Sequence, residues 1–78
     1  MAKVKVYSTP TCPYCHMVKD YLKQNQIAFE DVDVSADQAA AQEMVSRSGQ
    51  MGVPVVDIDG NMIVGFDKPK ISKALGIK

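Results

Sequence analysis

The feature that most limits the fold of this chain is a repeated change between two-residue and helical periodicity. Residues 3–7 alternate polar and apolar side chains, which predicts a strand. Residues 13–25 then place apolar side chains at helical spacing, and residues 28–34 return to an alternating, strand-like pattern. The first half of the chain is therefore predicted to be strand, helix, strand, with no linker between them.

The next helix is bounded by two end signals. Ser35 followed by Gln38 has the spacing of a capping box, in which each side chain bonds the backbone N–H of the other residue. Gly49 is the residue type that most often ends a helix, because it adopts a left-handed conformation without strain. A second helix is therefore predicted from the capping box to about Ser48.

The last third of the chain predicts a hairpin and a short helix. Residues 55–58, which are apolar except for Asp57, and the apolar residues 62–64 lie on either side of Asp59-Gly60, a pair that favours a two-residue hairpin turn. Asp67 is suited to cap a final helix. The order β-α-β-α-β-β-α, whose first two strands should be parallel, predicts an α/β fold in one domain over residues 1–78. We expect a four-stranded mixed sheet flanked by three helices.

Charge and hydropathy argue against several classes of function. Nine Lys and Arg balance nine Asp and Glu, so the chain lacks the net positive charge on which nucleic-acid binding depends. No apolar run approaches the ~18 residues of a membrane span, and residues 1–5 lack the apolar core of a signal peptide. We therefore expect a cytoplasmic monomer that binds neither nucleic acid nor membrane.

A cysteine pair, Cys12-Pro13-Tyr14-Cys15, lies where the first strand gives way to the first helix. Pro13 suits the first helical position, where its missing N–H is not needed, and this makes Cys12 the N-cap. The backbone N–H groups of Tyr14 and Cys15 would then point toward the Cys12 sulfur and favour its thiolate. Residues three apart in a helix are about 5–6 Å apart, which is within reach of a disulfide.

This arrangement predicts a dithiol–disulfide carrier. The Cys12 thiolate would attack a substrate disulfide, and Cys15, one turn deeper, would displace the substrate from the resulting mixed disulfide. A purely structural crosslink is a weak alternative, because so short a loop would stabilise the fold by only about 2 kcal/mol and cytosolic thiols are kept reduced.

Two metal-based alternatives use the same residues. Cys12, Cys15 and His16 offer three ligands for zinc, although the adjacent Cys15 and His16 would project from different sides of a helix. The same run fits the Cys-x-x-Cys-His attachment pattern of c-type haem, but without an export signal. We expect no metal and no cofactor, with His16 facing solvent beside the site.

Over nearly its whole length the chain resembles the glutaredoxin family. The Cys12-Pro13-Tyr14-Cys15 tetrapeptide is typical of dithiol glutaredoxins, Lys19 matches a lysine common in them, and residues 48–54 resemble a segment ending in Thr-Val-Pro. The resemblance implies a thioredoxin fold and a thiol–disulfide oxidoreductase activity that reduces disulfides in proteins or small molecules. It also implies that Pro54 follows a cis peptide bond and faces the cysteines.

The resemblance further implies a substrate groove. In the family, the backbone before the cis proline pairs with substrate like an added strand, and Gly65-Phe66-Asp67 matches a segment that opens the last helix, where the glutathione carboxylate would bind. The expected substrate-binding residues are Pro13, Tyr14, Met51, Val53, Pro54, Gly65, Phe66 and Asp67.

Departures from the family pattern bear on the electron donor. Thr9 stands where glutathione-using members usually carry a lysine, and Met51 stands where they often carry an arginine. Loss of two cations would weaken binding of glutathione. Gly65-Phe66 also resembles redoxins that serve ribonucleotide reductase, so the donor is either glutathione or a thioredoxin reductase. One alternative function remains open, because some relatives bridge an iron–sulfur cluster between two subunits through the first cysteine.

Overall fold

Strands and helices alternate along the chain in the order that the periodicity predicted. The computed structural model describes residues 3–50 and 52–76. Its elements are β1 (Val4–Ser8), α1 (Pro13–Gln24), β2 (Glu30–Asp33), α2 (Gln38–Ser48), β3 (Val55–Ile58), β4 (Asn61–Val64) and α3 (Lys68–Leu75). Within the described part of the chain, no helix has the length and apolar character needed to cross a membrane.

The four strands form one mixed sheet in the order β2-β1-β3-β4. Strands β1 and β2 are parallel and are joined through α1, whereas β3 is antiparallel to both β1 and β4. Asp59 and Gly60, with φ of 51° and 91°, form the two-residue turn of the β3–β4 hairpin. Both turn residues have positive φ, as a type I′ turn requires, so the predicted hairpin and mixed sheet are confirmed.

The sheet separates two apolar layers. On one face, α1 and α3 pack against the sheet, and on the other α2 packs against it. The first layer consists of Val4, Val6, Val18, Leu22, Val56, Ile58, Ile63 and Ile71. The second is centred on Tyr7, Met44 and Val55. The central strand β3 is buried along its whole length. Because side chains of a strand alternate between faces, it contributes to both layers.

The start of α2 differs from the prediction. The N-cap is Asp37, whose carboxylate accepts a hydrogen bond from the Ala40 N–H at 3.1 Å, so the capping box at Ser35 and Gln38 is wrong. The Ser35 N–H instead donates to Asp33 Oδ1 at 2.9 Å in the turn that follows β2. Because Ser35 is bonded within this turn, the N-cap of α2 is two residues later than predicted, at Asp37.

Candidate active site

Three segments that are distant in sequence meet at one end of the sheet. Cys12 stands at the start of α1, and its sulfur lies 3.9 Å from the carbonyl oxygen of Val53 in the loop before β3. The N–H of Gly65, just after β4, donates to the carbonyl of Pro54 at 2.8 Å. The fold therefore brings the cysteine motif, the proline loop and the start of α3 together.

Cys12 is the N-cap of α1, as predicted. Its backbone is extended (φ −94°, ψ 110°), and Pro13 occupies the first turn of the helix. The Cys15 N–H donates to the Cys12 sulfur at 3.2 Å. The sequence predicted that the N–H groups of both Tyr14 and Cys15 would point toward this sulfur, but among the described residues only the Cys15 N–H donates to it. The Cys12 sulfur therefore receives one hydrogen bond from the helix N-terminus.

Cys15 has the opposite environment. Both cysteines are free thiols, but Cys12 is half-buried whereas Cys15 is inaccessible to solvent. Burial first, and then the hydrogen bond with Cys12, raises the pKa of the Cys15 thiol from 9.0 to about 11. The backbone of Thr9 and the charge of Lys19 oppose this rise. Cys15 is therefore protonated at neutral pH.

The proline loop has the geometry that the resemblance implied. The peptide bond between Val53 and Pro54 is cis, and Pro54 is buried while Val53 is half-buried. Because the Val53 carbonyl faces the Cys12 sulfur, the backbone of this loop lies beside the reacting atom. Met51, which we also expected in the groove, lies outside the described residues.

The β4–α3 turn lies beside the proline loop, to which Gly65 is hydrogen-bonded. Gly65 has φ of 79°, a conformation that favours glycine, and Phe66 packs edge-to-face against Tyr21 of α1 at 6.1 Å between ring centroids. Asp67 caps α3 through a 3.2 Å hydrogen bond from the Lys70 N–H. Asp67 thus has the capping role that the sequence predicted.

The rim of the site is apolar and exposed. Tyr14 is 61% exposed and Val64 is 46% exposed. Met17, which the helical spacing grouped with apolar residues of α1, is also 46% exposed. It follows Tyr14 by three residues and so extends the same face of the helix. Sequence reasoning did not identify Met17 as part of the rim.

A polar cluster beneath α1 was also missed. The Lys19 ammonium donates to Asp31 Oδ2 at 2.9 Å, and the Ser8 hydroxyl donates to Asp31 Oδ1 at 2.8 Å. Burial raises the pKa of the Asp31 carboxyl, but the bonds from Lys19 and Ser8 and the Lys19 charge outweigh it, so the pKa is lowered. The available signal was Ser8, a polar residue in step with the core residues Val4 and Val6.

The side chains next to the cysteines do not converge on a common point. His16 is exposed, and its Nε2 lies 3.2 Å from the Pro10 carbonyl, whereas Cys15 is buried on the other side of the helix. Among the described residues, no group of three or more His, Cys, Asp or Glu side chains is arranged to hold a metal ion.

Comparison with known proteins agrees with this architecture. The family model for glutaredoxin matches residues 4–63. An uncharacterized glutaredoxin-like 8.6 kDa protein from the rubredoxin operon of Clostridium pasteurianum is 54% identical over 72 residues, 92% of this chain and 96% of that protein. Glutaredoxin 3 of Escherichia coli K12 is 39% identical over 67 residues, which cover 86% of this chain and 81% of that protein. The crystal structure of a mutant of the thioredoxin-like protein BC3987 superposes with a TM-score of 0.92 at 38% identity, and the match covers 100% of both chains. These similarities confirm the predicted thioredoxin-like fold.

Proposed function

The chain belongs to the glutaredoxin family, and on that basis we propose that it is a dithiol thiol–disulfide oxidoreductase. One observation carries the proposal. The Cys12 sulfur is half-buried and hydrogen-bonded at a helix N-terminus, while the Cys15 thiol lies one turn deeper and fully buried. The two thiols therefore differ in access to solvent and in hydrogen bonding, as the two steps of a dithiol exchange require.

The reaction proceeds in two exchanges. The Cys12 thiolate attacks a substrate disulfide, forms a mixed disulfide and releases one substrate thiolate, which takes up a proton. The Cys15 sulfur then attacks the Cys12 sulfur, and the second substrate sulfur leaves with the electron pair of the broken bond. Two electrons pass to the substrate, and a Cys12–Cys15 disulfide remains.

Substrate is held along the groove between the proline loop and the β4–α3 turn. The carbonyl of Val53 lies 3.9 Å from the Cys12 sulfur, which supports the proposal that the backbone at Val53 pairs with an extended substrate. Pro54, Pro13 and Tyr14 are proposed to contact substrate beside it, and Met51 from the segment before Val53. On the other side, the Gly65 N–H is bonded to the Pro54 carbonyl and fixes the turn, and we propose that the N–H groups of Phe66 and Asp67, just before α3, bind a carboxylate.

We also propose a physiological setting for this chain. The whole chain, residues 1–78, is proposed to act as a single-domain monomer in the cytoplasm, needing no cofactor. Its substrates are disulfide-containing proteins or small molecules, and either glutathione or a thioredoxin reductase recharges it. The uncharged Thr9 beside the site and the neutral residue at position 51 favour the reductase, since neither supplies a cation for a glutathione carboxylate.

Trapping the mixed disulfide tests the proposal. Cys15→Ser should accumulate a covalent adduct at Cys12 when mixed with a protein disulfide, because the resolving thiol is gone. Intact-mass spectrometry before and after reduction locates the adduct.

Cys12→Ser is the matched control, and it should form no such adduct because the remaining thiol is buried. Equal adduct formation by both variants would contradict the assigned roles. A brown, dimeric preparation whose colour is lost in Cys12→Ser would instead support the iron–sulfur alternative.

A further inference from the structure

The polar cluster beneath α1 lies next to the resolving cysteine. Lys19 follows Cys15 by four residues, so both side chains project from the same face of the helix, about 6 Å apart along its axis. The Lys19 side chain is only 15% exposed. A lysine whose side chain is mostly buried therefore follows the buried thiol by one turn, and its ammonium pairs with Asp31, whose side chain is 50% exposed.

Asp31 and Ser8 hold this ammonium in place. The carboxylate of Asp31 accepts from Lys19 at 2.9 Å and from the Ser8 hydroxyl at 2.8 Å, and Ser8 is itself only 2% exposed. Ser8 lies on β1 and Asp31 lies on β2, whereas Lys19 lies on α1. The ion pair thus joins α1 to the sheet and limits the positions that the ammonium can take.

Few other charges face Cys15. On α1 the neighbouring titratable groups are Cys12 and His16, and His16 is turned outward to the Pro10 carbonyl. The sheet presents Asp31, which is engaged by Lys19 and Ser8. Among the described residues, Lys19 is the cation that favours a negative sulfur at Cys15, and its charge opposes the rise that burial produces in the pKa of that thiol.

We propose that Lys19, anchored by Asp31, is a positioning residue for the resolving step, its ammonium stabilising the negative charge that develops on Cys15. This inference rests on the proposed function. In that step the Cys15 S–H bond breaks, a Cys12–Cys15 bond forms and the bond from Cys12 to the substrate breaks. The substrate sulfur leaves with the electron pair and takes up the proton released by Cys15, directly or through water.

Removing the charge of Lys19 should slow the attack by Cys15 without slowing the first attack by Cys12. Lys19→Met keeps the aliphatic stem but removes the charge that lowers the pKa of Cys15, so the thiolate fraction of Cys15 at neutral pH should fall. The greater nucleophilicity of a more basic thiolate offsets only about half of this loss on a logarithmic scale, so resolution should slow by about two- to threefold. Single-turnover release of a fluorescent thiol from the Cys12 mixed disulfide measures this rate, and absorbance of the thiolate in a Cys12→Ser background measures the pKa.

Matched variants separate charge from packing. Lys23→Met removes an exposed lysine two turns from Cys15 on the same helix and should leave both quantities unchanged. Lys19→Arg keeps the charge and should resolve within about twofold of the natural chain. Lys19→Gln replaces Lys19→Met should the latter fail to fold, as judged by circular dichroism.

Two results would overturn the inference. One is an uncharged Lys19 variant that resolves as fast as Lys23→Met, and the other is Lys19→Arg that is as slow as the uncharged variant. The proposed function is tested separately, by adduct formation in Cys15→Ser. Adding Lys19→Met to Cys15→Ser should leave the rate of adduct formation unchanged, because that step does not use Cys15.

Discussion

At the scale of single residues, burial sets the chemistry of Cys15 and links it to stability. The pKa of its thiol is raised by burial, from 9.0 to about 11. In the unfolded chain the thiol ionises first, so the folded state binds more protons between these two values. The stabilisation from burying a neutral thiol is therefore complete below about pH 9 and is lost as the pH rises to about 11.

Cys15→Ala should remove this pH dependence. Between about pH 8 and about pH 11, the unfolding free energy of the natural chain should fall by about 2 kcal/mol more than that of the variant. Titration of tyrosines and lysines is common to both chains and cancels in the difference. Urea unfolding at the two pH values measures it, and parallel losses in the two chains would show that Cys15 does not titrate as its burial requires.

At the scale of elements, helix starts were predictable where only one residue could act as cap. Pro13 leaves Cys12 as the cap of α1, and Asp67 was identified as the cap of α3. Before α2, Ser35 and Asp37 are both good capping residues. The choice between them depends on the turn after β2, which the local pattern does not reveal.

A pair of alanine variants checks which residue caps α2. Asp37→Ala removes the acceptor of the Ala40 N–H and should lower the free energy of unfolding by about 1 kcal/mol. Hydrogen exchange at the Ala40 amide should also become faster. Ser35→Ala should leave that amide protected, because the serine bonds to Asp33 in the preceding turn. Faster exchange at the Gln38 amide in Ser35→Ala, with the Ala40 amide still protected in Asp37→Ala, would instead support the capping box.

At the scale of the whole molecule, the fold was predictable and part of the site was not. The order of elements along the chain, the hairpin and the parallel direction of β1 and β2 follow from local periods, a two-residue turn and the crossover rule, all of which can be read over short windows. The contact between Cys12 and Val53 joins residues 41 apart and was expected only from family resemblance. The cluster of Lys19, Asp31 and Ser8 depends on the pairing of β1 with β2, a register that one sequence does not specify.

The choice of electron donor is also a property of the whole site, and Thr9 offers a way to change it. Thr9 is half-buried in the loop between β1 and Cys12, and Thr9→Lys would add a cation three residues before the nucleophile. One charge-assisted hydrogen bond to a glutathione carboxylate contributes about 1.5–3 kcal/mol, so glutathione-driven turnover should rise about tenfold, mainly through a lower KM. Turnover driven by a thioredoxin reductase should stay within about twofold, since Thr9→Lys leaves unchanged the exposed apolar side chains of Tyr14, Met17 and Val64, which we expect the reductase to contact.

Thr11→Lys is the matched control for this change, because it adds the same charge to an exposed position of the same loop. A directed bond requires the lysine at position 9, whereas a general field near Cys12 would act from either position and would weaken with salt. Both variants are therefore compared with each donor at low and high ionic strength. If Thr11→Lys raises glutathione-driven turnover as much as Thr9→Lys, the missing lysine does not explain the donor preference. If the natural chain already turns over faster with glutathione than with the reductase, the preference itself is wrong, while the dithiol mechanism at Cys12 and Cys15 is unaffected.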